Sequence, residues 1–127
     1  MSLDLSNKVG RAHNTTPFTG ADFAAVDAST FDSGNIASAG NFLLQTDLTA
    51  NGMDANTLPT SMPDANGLDL LTDGVELTIV KVDPTPNNIT FVDPITGITY
   101  SYVNRPGESL TLVMDRSATP AQWAAKV

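Results

Sequence analysis

The chain has 127 residues, a formal net charge of −8 and only 16 % charged residues, so it suits one small domain with a largely uncharged polar surface. Its acidity argues against binding to nucleic acid or to an anionic membrane, because both are themselves negative. The absence of cysteine excludes disulfides and thiolate chemistry, and the single histidine, His13, excludes a histidine-based triad. We therefore expect a binding or structural protein rather than an enzyme, with no cofactor and no metal.

The first half of the chain, residues 1–66, shows no sustained periodicity and is rich in turn-forming clusters. A short helix over 21–28, capped by Thr19 or Asp22, and a brief strand over 40–47 are the only regular elements that it predicts. We interpret residues 1–66 as an extended, mostly irregular N-terminal arm. Such an arm becomes ordered by lying on its own domain, on a neighbouring subunit or on another protein.

The second half, residues 67–127, has a different pattern. Five β-rich runs follow one another, each bounded by proline, glycine, asparagine or aspartate, over 76–82, 89–92, 98–103, 109–114 and 122–127. In the first run Leu77, Ile79 and Lys81 share one face. The prolines fall only in the turns, as strand pairing requires. This pattern predicts a mainly β fold, a small antiparallel β-sandwich or meander over residues 67–127.

Large apolar side chains recur along these runs. Phe91, Tyr100, Tyr102, Leu112 and Trp123 are predicted to form the core of the β-module or an oligomer interface. Five short strands make a thin core, and domains with a thin core gain stability by oligomerising. Tyr100, Tyr102 and Trp123 also suggest an alternative, a carbohydrate-binding module whose sugar stacks on these rings.

One part of the chain resembles a known group of proteins. The relevant residues are Ile89-Thr90-Phe91, Tyr100-Ser101-Tyr102, the run from Pro106 to Val113, Asp115 and the late Trp123. Over residues 78–127 the chain resembles the C-terminal β-domain of bacteriophage head-fibre, decoration and tail-associated proteins. The resemblance implies a homotrimer whose β-domains pack around a three-fold axis.

The resemblance implies a virion structural protein, a capsid decoration or cement protein or a head-fibre subunit. Its partners would be the major capsid protein and two further copies of itself, and it would lie on the capsid surface after synthesis in the host cytoplasm. The first fifteen residues contain no apolar segment of the signal-peptide type, which agrees with that origin. The arm is expected to contact the capsid through Phe18, Phe23, Phe31 and Phe42. A phage tail or baseplate component is an alternative.

The acidic residues suggest two further sites. Asp64, Asp69 and Asp73 lie close in sequence, but a glycosidase needs one carboxyl group buried among apolar side chains. The aspartates here fall in predicted turns, so we expect them to stabilise turns. The stretch 64–69 resembles the start of a calcium loop, but position 75 is Val75 where such a loop needs a bidentate glutamate. We expect an ordinary turn there, and a solvated or interface position for His13.

Overall fold

The computed structural model describes residues 10–102 and 105–126. It is mainly β, with 37 % strand and 10 % in short 3-10 turns, so the expected fold class is confirmed. The strands form two sheets, one of five strands and one of three. Within the described ranges, no helix is long and apolar enough to cross a membrane.

Five strands make up the larger sheet, sheet A: β1 (Gly10–His13), β2 (Ala39–Thr46), β4 (Glu76–Lys81), β7 (Ser109–Asp115) and β8 (Gln122–Ala125). They lie side by side in that order. β1, β2 and β4 are parallel, whereas β4, β7 and β8 pair antiparallel. The parallel pairs are possible because the connections 14–38 and 47–75 are long enough to return the chain to the same end of the sheet.

Three short strands form the smaller sheet, sheet B: β3 (Met53–Asp54), β5 (Ile89–Val92) and β6 (Thr99–Tyr102). β5 lies in the middle, parallel to β3 and antiparallel to β6. β5 and β6 form a hairpin in which Val92 pairs with Thr99. The strands predicted in the second half are therefore present and pair antiparallel with one another; the ends of the runs at 103 and 127 lie outside the described residues.

One face of sheet A packs into the hydrophobic core of the molecule. The two-residue period of a strand points alternate side chains to that face, so Leu77, Ile79 and Lys81 of β4 are buried while their neighbours are half-exposed. The register places Phe42, Leu77 and Leu112 side by side across three strands. Burying each large apolar side chain contributes about 1.5–3 kcal/mol. This row therefore fixes which face of each strand turns inward.

The interpretation of residues 1–66 as an extended arm is wrong for residues 10–66. β2 is an interior strand of sheet A, bonded to β1 on one side and to β4 on the other. One cluster of buried side chains includes residues from both halves of the chain, so position 66 does not separate an arm from a module. The reason is that loops and 3-10 turns bury single side chains, such as Phe23 and Phe31, without producing a repeating pattern.

The helix predicted over 21–28 is instead two 3-10 turns, Phe23–Ala25 and Ala28–Thr30. Asp22 caps the first turn, as the sequence indicates. Asp27 caps the second turn through a capping box with Thr30, and this capped start interrupts the helix. The strand predicted over 40–47 is present as β2.

Candidate functional site

Nine aspartates share one local arrangement. A carboxylate oxygen of each accepts a hydrogen bond from the backbone N–H two residues later. They are Asp22, Asp27, Asp47, Asp54, Asp64, Asp69, Asp83, Asp93 and Asp115. This is the geometry of an Asx turn, in which the short acidic side chain replaces a backbone acceptor. The expectation that aspartates stabilise turns is confirmed for these nine, which include Asp64 and Asp69, and a backbone N–H holds one carboxylate oxygen of each. Asp73 instead accepts from the Arg116 N–H at 2.7 Å.

Hydrogen bonds lower the pKa of several aspartates, among them Asp32, which lies outside this set. The Ser117 hydroxyl and N–H lower the pKa of Asp115, and the Thr15 hydroxyl lowers that of Asp32. Burial raises the pKa of Asp69, but backbone N–H groups and the Arg116 guanidinium outweigh this effect and the net shift is downward. A general acid needs the opposite shift, so these three carboxyl groups are unsuited to that role.

Arg116 connects distant parts of the chain. Its guanidinium donates to the Leu71 carbonyl at 2.8 Å, to the Thr60 carbonyl at 2.8 Å and to Asp69 Oδ2 at 2.5 Å. These contacts tie the long connection between β2 and β4 to the turn that follows β7. Arg116 therefore has a structural role, because its Nε and Nη2 groups hold this connection in place.

The most deeply buried charge in the described residues is Lys81, whose side chain is 0 % exposed. Its Nζ lies 2.5 Å from Asp83 Oδ2 and 3.2 Å from the Thr85 hydroxyl. Asp83 also accepts from the Leu48 N–H at 2.6 Å. Burial opposes ionisation of Asp83, but the bonds from Lys81 and Thr85 outweigh it and hold its pKa well below the usual range. The pair is thus an internal ion pair that joins the ends of β2 and β4.

The residues of the predicted aromatic set share one hydrophobic core. Phe91, Leu112 and Trp123 are buried, and Tyr100 and Tyr102 pack half-buried against the edge of the core. Trp123 Nε1 donates to the Pro59 carbonyl at 3.0 Å, so the indole faces the 47–75 connection. Because Trp123 is buried, the three rings of the proposed sugar platform do not share an exposed face.

The phenylalanines expected to contact a capsid occupy other positions. Phe23, Phe31 and Phe42 are buried in the core, and Phe31 and Phe42 meet edge to face with ring centroids 4.9 Å apart. Phe18 is partly buried and stacks on Phe23 at 6.1 Å. Direct capsid contact by Phe23, Phe31 and Phe42 is therefore wrong for this conformation, because their surface is already covered.

The remaining sequence-based candidates show structural roles. In the 64–69 loop Asp64 Oδ1 accepts from the N–H groups of Asn66 and Leu68. Within residues 10–102 and 105–126, no three acidic or histidine side chains come together as a metal site. His13 is half-exposed on β1. The 64–69 loop is thus held by hydrogen bonds between Asp64 and its own backbone N–H groups.

An open groove of about 510 Å³ lies beside β3 and the start of β5. Its lining combines Asp54 and three asparagines with the apolar Met53, Pro86 and Val92, and contains no aromatic ring. Asn87 donates to the Leu48 carbonyl at 2.7 Å and Asn88 to the Ser101 hydroxyl at 2.9 Å, so both amides are engaged within the chain. The groove offers neither a stacking surface nor a paired set of carboxylates.

Exposed apolar side chains concentrate at the tip of the β5–β6 hairpin. Val92, Ile95 and Ile98 are 40 %, 64 % and 53 % exposed. We call Val92, Ile95, Ile98, Thr99 and Ser101 the hairpin surface. Periodicity could not identify it, because the two isoleucines sit in a turn. The only sequence signal is a seven-residue stretch with three aliphatic side chains where turns are ordinarily polar.

Comparison with known proteins finds no matching family model, curated protein or solved structure.

Proposed function

We propose that this protein is a virion structural protein, a capsid decoration or head-fibre subunit that binds capsid subunits and works as a homotrimer. The proposal starts from the resemblance over residues 78–127. The residues that carry it lie on or directly beside the strands of a compact β fold, with Trp123 anchoring the last strand. Its action is mechanical and not enzymatic: surface buried between the subunit and the shell opposes internal pressure.

The observation that supports a contact with the capsid shell is an acidic surface formed by aspartates that cap turns. It consists of Asp22, Asp27 and Asp54, all exposed, each at the start of a 3-10 turn. Asp22 and Asp54 lie on turns that touch, because Phe23 N–H donates to the Thr57 hydroxyl at 3.1 Å. Carboxylates held in place by backbone donors lose little freedom on binding, which favours a basic or polar partner surface.

The first test is location. Particles purified from the source of this sequence are separated on a density gradient and labelled with gold-coupled antibodies against the chain. We expect the label on the outer surface of the particles. A chain found only in the soluble fraction, with unlabelled particles, would contradict the proposal.

The second test removes charge without removing the turns. In the double variant Asp22→Asn/Asp54→Asn each amide oxygen still accepts the capping bond, since asparagine also forms Asx turns. Purified variant is mixed with particles assembled without the chain, and co-sedimentation is measured. We expect binding to weaken about tenfold or more, since complementary charge contributes to specific contacts.

A matched control makes the same change in net charge elsewhere. Glu108→Gln/Asp115→Asn also removes two negative charges, and the amide oxygen introduced at position 115 can keep the bond from the Ser117 N–H. We expect this control to bind like the unmodified chain. Equal weakening of both variants would show that net charge alone matters and would overturn the role of the acidic surface.

A further inference from the structure

We propose that the hairpin surface is where copies of this chain meet each other. The surface is inferred from the hairpin itself. The number of copies, three, rests on the proposed function. The contact surface and the number of copies can therefore be refuted separately.

The hairpin is a rigid support. Asp93 closes its turn: its N–H donates to the Ile98 carbonyl at 2.8 Å, and its carboxylate accepts from the Ile95 N–H at 2.8 Å. Beyond the two residues of β3, the side chain of Asn56 takes the place of a neighbouring strand. It accepts from the Val92 N–H at 2.7 Å and donates to the Val92 carbonyl at 2.7 Å. The apolar tip is therefore held in one shape before any partner arrives.

The apolar side chains of the tip are too exposed for a surface that stays in water. Val92, Ile95 and Ile98 are three of the four large apolar side chains that are exposed among the described residues; the fourth, Leu68, lies in a separate loop. Single exposed apolar residues are common, but neighbouring ones mark contact sites. The cluster on one hairpin therefore indicates a surface that is covered in the working protein.

Charge identifies the occupant as another copy of the chain. Each copy carries −8, so two copies repel each other least when they meet through a surface without charge. From Pro94 to Tyr102 the sequence has no charged residue, and Asp93 is buried beneath the turn. A basic partner would be drawn to the aspartates elsewhere, whereas an equally acidic copy finds its lowest repulsion here.

The sheet edge supports the same conclusion. β6 is the outer strand of sheet B, and proteins ordinarily protect such an edge with charge or proline. The other outer strands have charge in or directly after them: Arg11 in β1, Asp54 in β3 and Lys126 after β8. β6 has none, and its outward residues, Thr99 and Ser101, are small and uncharged. The unprotected edge lies directly beside the apolar tip.

The test compares exposed apolar positions on the hairpin with one outside it. In Ile95→Asp/Ile98→Asp, carboxylates replace the apolar tip; in the control Leu68→Asp, a carboxylate replaces a side chain that is 63 % exposed outside the hairpin. Sedimentation equilibrium of the full chain over a concentration series gives the association constant, and circular dichroism checks the fold. We expect the unmodified chain and the control to self-associate, and the hairpin variant to associate about a hundredfold more weakly because like charges then face each other.

Salt provides a second measurement. The screening length falls from about 10 Å at 0.1 M to about 3 Å at 1 M salt, so repulsion between acidic copies fades while apolar contact does not. We expect association of the unmodified chain to strengthen as salt rises. A monomeric chain at all concentrations, or a hairpin variant that associates like the control, would overturn the inference. Association in a number other than three, still abolished by the hairpin variant, would contradict only the proposed trimer.

Discussion

At the scale of single residues, the chemistry of this chain is dominated by aspartate. Twelve of its fourteen acidic residues are aspartate, and nine of these accept a bond from the backbone two residues later. Glutamate, one carbon longer, is less suited to this short contact. The acidic composition is therefore largely a consequence of a fold built from many tight turns. The sequence could predict this, since each aspartate stands in a cluster of turn-forming residues.

The ion pair of Lys81 and Asp83 allows a prediction at this scale. Lys81→Met would leave the Asp83 carboxylate buried beside the end of β4 without its cation. Breaking a buried pair from one side costs about 3–5 kcal/mol. We expect urea unfolding to show a loss of that size for Lys81→Met, and a smaller loss for Lys81→Met/Asp83→Asn, which removes both charges.

The control for this prediction is the exposed ion pair of Lys126 and Glu76, 3.0 Å apart. Exposed pairs contribute less than about 1 kcal/mol. Lys126→Met should therefore unfold almost like the unmodified chain. If Lys81→Met lost no more stability than Lys126→Met, the structural importance of the buried pair would be refuted.

At the scale of elements, β8 is the outer strand of sheet A and pairs only with β7. It has four residues, and its one buried side chain is Trp123. The indole lines the same internal cavity as Phe31, Phe42 and Leu77 and donates to the Pro59 carbonyl. β8 therefore depends on one residue that reaches the core.

We expect Trp123→Ala to lower the free energy of unfolding by about 3–5 kcal/mol, the usual cost of removing a large buried ring. Trp123→Phe keeps most of the packing and loses the hydrogen bond, at a cost of about 1 kcal/mol for the bond itself. Thermal unfolding followed by circular dichroism gives both values. A melting temperature unchanged by Trp123→Ala would rule out this anchoring role.

The elements also show how far sequence patterns reach. The runs predicted over 76–82, 89–92 and 109–114 match β4, β5 and β7 closely, because a half-buried strand repeats every two residues. The place of β2 between β1 and β4 could not be predicted, since parallel pairing joins segments far apart in the chain. The sequence does not reveal the burial of Phe23 and Phe31, because each is buried singly beside a turn and no repeating pattern marks it.

At the scale of the whole molecule, residues from both halves of the chain form one core. Phe42 and Leu44 from β2 pack beside Leu77 and Ile79 from β4, in continuous register. An arm that became ordered only on a partner would not supply an interior strand of a sheet. The central claim is therefore that residues 10–102 and 105–126 fold as one cooperative unit, which then presents the acidic surface and the hairpin surface.

Hydrogen–deuterium exchange on the isolated chain, at a concentration below self-association, tests this claim most directly. Exchange through global unfolding gives every amide of one cooperative core the same free energy of opening, once each rate is divided by its intrinsic exchange rate. We expect the amides of Phe42, Leu43 and Leu44 in β2 to exchange as slowly as those of Leu77, Thr78 and Ile79 in β4. Rapid exchange throughout residues 10–66, beside slow exchange in β4 and β7, would contradict the account.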